Sequence, residues 1–161
     1  MEQLPAVTDD RTDEATYAER LAPPGSFWAA AVAFSAALGV AFLTALGPIA
    51  GLLALVVPFS LSAAGLVAMA TDVMVAGGEL VAGRAHIPVR DLGPARALGA
   101  EEARAVRGPR SDPAAFHVIR GWLPRAVVAE VVDAADPTPY WYVSSRDPER
   151  LAAAIEAARS R

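Results

Sequence analysis

Two uncharged stretches decide the organisation of this chain: FWAAAVAFSAALGVAFLTAL at residues 27–46 and IAGLLALVVPFSLSAAGLVAMA at residues 49–70. No Asp, Glu, Lys, Arg or His occurs between Arg20 and Asp72. As a helix, each stretch spans ~30 Å or slightly more, which matches the hydrocarbon core of a bilayer. The sequence therefore predicts a two-helix transmembrane hairpin within residues 21–71.

The connection between the two predicted helices is a tight turn at Gly47 and Pro48. Pro48 suits the first turn of a helix, where its missing N–H needs no partner. Pro58 is predicted to kink the second helix. A buried hairpin in a soluble protein is disfavoured, because soluble cores rarely contain two consecutive uncharged stretches of spanning length. A signal peptide is disfavoured because the residues before Phe27 are acidic rather than basic.

The arginines on either side of the hairpin predict its orientation. Arg20 precedes the first helix, Arg84 and Arg90 follow the second, and the turn between the helices is uncharged. Because positive charge near helix ends stays in the cytoplasm, both termini are predicted to be cytoplasmic. Trp28 suits an interfacial anchor on the same side.

Small residues recur at every fourth position of the first helix. This spacing allows close approach between membrane helices, so the face is a candidate packing surface against the second helix or a second copy. The abundance of alanine in the chain explains the pattern equally well. The residues of the face are Ala29, Ala33, Ala37, Ala41 and Ala45. Neither helix contains an ionisable side chain, which argues against a proton relay or an ion pathway.

Outside the hairpin, the charge is distributed unevenly. Residues 1–20 carry the acidic excess of the chain and are predicted to form a largely disordered cytoplasmic tail. Residues 72–161 contain twelve arginines and twelve acidic residues, so they lack the basic surface expected of a nucleic-acid-binding domain. The absence of cysteine excludes a disulfide framework and thiol catalysis.

Residues 72–161 are predicted to form a cytoplasmic domain of short strands. The Gly77-Gly78 pair predicts a hairpin with a primed turn. Helical turns are expected at residues 101–107, and Asp147 and Pro148 are suited to begin a helix over residues 148–159. The predicted strands are at 72–76, 79–83, 85–89, 92–98, 114–120, 125–132 and 140–145.

This order of elements predicts the fold class of an α+β membrane protein. The transmembrane α-hairpin is expected to be followed by a pleckstrin-homology-like antiparallel β-barrel with a C-terminal helix. A small α+β sandwich is the alternative.

Three segments resemble a known protein family. They are Tyr17-Ala-Glu-Arg-Leu21, Gly78-Glu-Leu-Val-Ala-Gly-Arg84 with Ile87-Pro88, and Asp136-Pro-Thr-Pro-Tyr-Trp141 with Ser144-Ser-Arg146. Together they are similar to the actinobacterial membrane proteins grouped as domain of unknown function 3093 (DUF3093). The resemblance implies two N-terminal transmembrane helices and a bacterial plasma-membrane location, and it supplies no catalytic residues. Its most specific part is the signature Asp136, Pro137, Thr138, Pro139, Tyr140 and Trp141.

No constellation of residues predicts a reaction or a cofactor. His86 and His117 lie on different predicted strands, without the spacing of a metal motif. Asp133 and Asp136 share a loop but lack the other oxygen ligands of a cation site, so a role in a turn is favoured. The Ser144-Ser145 pair lacks the sequence context of a catalytic serine. The sequence therefore predicts no catalytic, cofactor-binding or metal-binding residue, and no enzyme.

The turn from Arg120 to Arg125 is the candidate partner surface, because Trp122 between Arg120 and Arg125 is typical of an interface. The predicted function is a membrane-tethered, non-enzymatic interaction or scaffold module at the cytoplasmic face. An accessory subunit of a larger membrane complex and an enzyme with an unrecognised site are the alternatives.

The predicted partners are the lipid bilayer and either a protein partner or a second copy. Polyphosphorylated lipid headgroups are not expected as ligands, because the turn at residues 76–79 contains no arginine. The biological process, the identity of the partner and the oligomeric state stay open.

Overall fold

The computed structural model describes residues 16–160, which divide into two compact units. One unit is the apolar hairpin, residues 22–71. The other combines the residues up to Leu21 with those from Asp72 onward. The chain therefore leaves the second unit at Leu21, forms the hairpin and returns to the same unit at Asp72.

The hairpin consists of helices α1, Gly25–Leu46, and α2, Pro48–Ala68. Gly47 between them has a φ of 93°, a conformation that residues with a Cβ rarely adopt. Both helices are long and apolar enough to cross a membrane. α2 continues through Pro58, so the proline does not end the helix.

The first sheet begins with a strand that was not predicted from the sequence. β1, Tyr17–Leu21, lies beside β2, Thr71–Ala76, and the order of the sheet is β1-β2-β3-β4. The prediction of a disordered tail through residue 20 is therefore wrong for these residues, because the side chains of Tyr17 and Leu21 are buried and anchor the strand. The rest of the predicted tail, residues 1–15, lies outside the described residues.

The remaining strands of this sheet are β3, Glu79–Ala82, and β4, Ala85–Pro88. The turn between β2 and β3 has Gly77 at φ 57° and Gly78 at φ 79°, as the prediction of a primed hairpin requires. The backbone N–H of Thr16 donates to the carbonyl of Val75 at 2.9 Å, and Arg20 Nε lies 4.0 Å from Asp72 Oδ1. β1 therefore runs antiparallel to β2.

The second sheet has the order β5-β7-β8-β6. Its strands are β5, Leu92–Leu98; β6, Phe116–Val118; β7, Ala126–Val131; and β8, Tyr140–Ser144. β6 and β8 are parallel, whereas the other neighbours are antiparallel. Helix α3, Ala100–Arg107, follows β5, and helix α4, Pro148–Arg159, follows β8.

The expectation of a closed, fully antiparallel barrel is wrong for residues 16–160. β5 turns away after a short 3-10 segment at Val89–Asp91 and pairs with β7 instead of β4, so the strands form two separate sheets. Both sheets and α4 contribute to one core cluster, which includes Val75, Val143 and Ile155. This arrangement is closer to the alternative of a small α+β sandwich.

The C-terminal helix has the predicted bounds. The Asp147 carboxylate accepts a hydrogen bond from the backbone N–H of Arg150 at 3.2 Å, and Pro148 occupies the first turn. Leu151 and Ile155 are fully buried, which fixes the apolar stripe of α4 against the core.

Candidate functional site

A groove of about 590 Å³ opens beside α3 on one face of the second sheet. Arg96 of β5 is paired with Val128 of β7, and Glu130 of β7 is paired with Tyr140 of β8. Directly paired residues point to the same face of a sheet, so these side chains form the floor of the groove. The volume lies within the range of small-molecule sites. The other lining residues are Pro94, Ala95, Val106 and Arg110.

The charged residues of the groove differ in their partners. Arg96 forms an ion pair with Glu102 of α3. Within residues 16–160, neither Arg110 nor Glu130 is part of an ion pair, and they do not pair with each other. The groove therefore presents one cationic and one anionic side chain that are both available to a ligand.

Tyr140 is the residue of the family signature that faces this groove. Its hydroxyl oxygen accepts a hydrogen bond from the backbone N–H of Asp112 at 3.0 Å. The His117 ring contacts Tyr140 edge-on at 5.7 Å between ring centroids and also lies 5.7 Å from the Tyr142 ring. These contacts hold the Tyr140 ring in place while its hydroxyl proton stays available to donate.

The neighbouring Tyr142 is buried under α3. Its hydroxyl donates a long hydrogen bond, 3.4 Å, to the carbonyl of Ala103, and its ring is part of a small cluster with Leu98 and Ala126. Burial raises the pKa of the Tyr142 phenol, although the nearby Arg107 acts in the opposite direction. The residue fixes α3 above the sheet and so shapes one wall of the groove.

The rest of the signature has structural roles. Trp141 is buried in the main core, with its ring centroid 4.2 Å from that of Phe116. The carbonyl of Pro139 accepts a hydrogen bond from the backbone N–H of Val131 at 3.0 Å, which extends the pairing of β7. Tyr140 lines the groove and Trp141 lies in the main core, so the two side chains point to opposite faces of the second sheet.

The two loop carboxylates of Asp133 and Asp136 both stabilise turns. They accept hydrogen bonds from the backbone N–H groups of Ala135 at 2.9 Å and Thr138 at 2.8 Å. The hydrogen bond from Thr138 lowers the pKa of Asp136. Within residues 16–160, no three His, Asp or Glu side chains lie close enough together to hold a metal ion.

A second polar cluster, which sequence reasoning missed, joins β1 to the start of α4. The hydroxyls of Tyr17 and Ser145 each donate to Glu19 Oε2 at 2.7 Å. The backbone N–H of Arg146 donates to Glu19 Oε1 at 2.8 Å, and that of Asp147 donates to Ser145 Oγ at 3.0 Å. Since Ser145 is only 1% exposed, its hydroxyl serves the fold rather than a substrate.

We expect the ionisation of Tyr17 to lower the stability of the protein at alkaline pH. Burial raises its pKa from 10.0 to about 12, and the Glu19 carboxylate beside it acts in the same direction. The unfolded chain releases the Tyr17 phenol proton more easily than the folded chain does. The stabilisation that the buried phenol contributes is therefore complete below pH ~10, and it falls by about 2–3 kcal/mol as the pH rises to ~12. Tyr17→Phe should remove this part of the pH dependence, measured by urea unfolding across that interval. An unchanged profile for Tyr17→Phe would contradict the assignment.

The predicted partner turn, Arg120 to Arg125, is folded onto the domain. Trp122 is half-buried and packs against the main core. Arg125 donates to Glu149 Oε1 at 2.9 Å, and the backbone N–H of Arg120 donates to Ser144 Oγ at 3.1 Å. Much of this turn therefore supports the fold, and its role in binding a partner stays a prediction.

The candidate alanine face of α1 points away from α2. Its members, Ala29, Ala33, Ala37, Ala41 and Ala45, are all exposed. The buried residues of α1 are Ser35 and Gly39, and Gly39 lies against Gly51 and Leu55 of α2. The prediction that the alanine face packs against the second helix is therefore wrong, because glycines form that contact. Packing against a second copy stays a prediction.

Comparison with known proteins finds one family. A family model described as Protein of unknown function (DUF3093) matches residues 16–155, from the residue before β1 to α4. No curated protein and no solved structure matches the chain.

Proposed function

The chain belongs to the DUF3093 family, and we propose that it is an integral membrane protein whose hairpin crosses the bilayer twice. The hairpin holds the α+β unit at the cytoplasmic face of the plasma membrane. There the unit acts as a non-enzymatic interaction or scaffold module.

The exposure of the hairpin carries this proposal. Only 11% of the most apolar 18-residue stretch of α1 and 6% of that of α2 are buried, whereas a core helix of a soluble protein is mostly buried. Leu46 and Ile49, on either side of the turn, are 70% and 77% exposed. Each large apolar side chain left in water forgoes about 1.5–3 kcal/mol relative to burial. A bilayer removes this cost for both helices at once.

The charges beside the hairpin support the cytoplasmic orientation. Arg20 lies shortly before α1, and Arg84 and Arg90 follow α2, while the Gly47-Pro48 turn has no charge. The same side chains do not favour recognition of a polyphosphorylated headgroup. The β2–β3 turn has no arginine, and Arg20 and Arg90 lie beside Asp72 and Asp91.

The exposed alanine face of α1 favours assembly with another chain. Five small side chains at a spacing of four residues allow a further helix to approach closely. This face suits packing against a second copy of the chain. It equally suits packing within a larger complex in which the chain is an accessory subunit.

A reporter and a purification tag fused together after Arg161 test the proposal. We expect a cytoplasmic reporter to be active there and a periplasmic reporter to be inactive, because the arginine-bearing flanks stay inside. The matched control is the same pair of reporters inserted between Gly47 and Pro48, where the result should be reversed. Periplasmic activity after Arg161 would overturn the orientation. Recovery of the tagged chain alone and monomeric from native membranes in mild detergent would contradict the role as an interaction module.

A further inference from the structure

We propose that the groove between the second sheet and α3 binds a small zwitterion, a molecule that carries a carboxylate and an ammonium group on an apolar body. This inference goes beyond the role as a membrane-tethered module. It depends on side chains of the α+β unit alone.

The carboxylate would be bound at the α3 side of the groove. Arg110 lines this side and has no ion pair among the described residues. The backbone N–H of Asp112, two residues further along the same loop, holds the Tyr140 hydroxyl at 3.0 Å. The loop therefore places the Tyr140 O–H donor near Arg110. A guanidinium and a phenolic O–H are both suited to bind a carboxylate.

The ammonium group would be bound by Glu130. This carboxylate lines the same groove, opposite Tyr140 in the β7–β8 register. Glu130 has no basic partner within residues 16–160, whereas the arginines Arg96, Arg125 and Arg159 each have an acidic partner. A simple anion would be repelled by Glu130 and a simple cation by Arg110. A ligand that brings both charges satisfies both side chains, and it suits a domain without net charge.

The body of the ligand would lie on apolar side chains. Val106 of α3, Val128 of β7 and Pro94 of β5 also line the groove. A free apolar amino acid and a short apolar peptide both carry an ammonium group, a carboxylate group and apolar side chains. The groove volume of about 590 Å³ is large enough for either.

The test uses the full chain in nanodiscs, titrated by calorimetry with four probes. They are Leu-Leu with free ends, its N-acetyl derivative, its C-terminal amide and free leucine. We expect Leu-Leu to bind at least tenfold more tightly than either blocked form, because each blocked form leaves one charged side chain without a partner. Tighter binding of leucine than of Leu-Leu would identify a free amino acid as the ligand class, and the reverse would identify a peptide.

Two variants assign the ends of the ligand. Arg110→Gln should abolish the preference for Leu-Leu over its amide, and Glu130→Gln should abolish the preference over the N-acetyl form. Arg90→Gln is the matched control, since Arg90 is exposed, lies outside the groove and should leave all affinities unchanged. Absence of binding by the free-ended probes, or equal affinity for all four, would overturn the proposal. Neither result would alter the expected reporter topology, so the two proposals fail separately.

Discussion

Gly51→Ala is expected to separate α1 from α2 and to lower the melting temperature of the hairpin in detergent. A Cβ at Gly51 would lie 2.7 Å from the Cβ and 2.8 Å from the Cα of Leu43, and 3.0 Å from the carbonyl oxygen of Gly39. Because the Cα and the carbonyl belong to the backbone, the helices themselves must move apart. Overpacking of this kind costs about 1–3 kcal/mol. The gain in helix propensity from removing glycine is only about 0.5–1 kcal/mol.

Gly65→Ala is the matched control for this result. Gly65 lies in the same helix, and a Cβ there would meet nothing within 4 Å. The substitution should keep or slightly raise the melting temperature, since it gains the same propensity without the clash. Gly51→Leu should lower the melting temperature further than Gly51→Ala. Equal melting of Gly51→Ala and Gly65→Ala would show that the helices are not in contact at Gly51.

The contact between the helices shows where periodicity in the sequence stops being informative. The uncharged stretches predicted both helices to within a few residues, because a charge inside either would be costly in a bilayer. The stripe of alanines at every fourth residue does not mark the face of α1 that contacts α2. Alanine occurs on several faces of this helix, whereas Gly39 is the position where a Cβ would meet Leu55 Cβ at 2.9 Å. The need for glycine at this position becomes visible only when α2 is in place.

The strands of the α+β unit were predictable where turns marked their ends. Gly77-Gly78 marked the ends of β2 and β3, and Pro139 directly precedes β8. β1 was missed because Tyr17–Leu21 follows an acidic stretch, and its pairing partner β2 comes after the whole hairpin. The β5–β7 pairing was also missed, so a closed barrel was expected where the strands form two sheets.

The candidate site depends on contacts that are distant in sequence. Tyr140 belongs to the signature, and its outward orientation follows from the alternation of β8. Glu130 comes from β7, and Arg110 follows α3, so their approach depends on the register of the second sheet. The cluster of Tyr17, Glu19 and Ser145 joins two segments of the family resemblance that no local pattern connects.

A fragment that begins at Asp72 is expected not to fold, because it lacks β1. The side chain of Leu21 is fully buried and that of Tyr17 nearly so, and Glu19 accepts hydrogen bonds from Ser145 and Arg146. Losing two buried side chains removes about 3–6 kcal/mol of apolar burial. Leaving the buried Ser145 hydroxyl without its acceptor adds about 1–3 kcal/mol. Together these losses approach the whole stability of a typical domain, about 5–15 kcal/mol.

A chimera in which a short glycine-containing linker joins residues 16–22 directly to residues 71–161 is expected to fold without a membrane. β1 and β2 are antiparallel neighbours, so a few residues are enough to connect Leu21 to Thr71 in place of the hairpin. The chimera should show a cooperative urea transition and a dispersed amide NMR spectrum, whereas the fragment from residue 72 should show neither. Leu21→Asp in the chimera should abolish the transition, because it places a charge in the core. Ala18→Ser, at an exposed position of the same strand, should retain the transition. A cooperative transition in the fragment as steep as that of the chimera would show that β1 is dispensable for the fold.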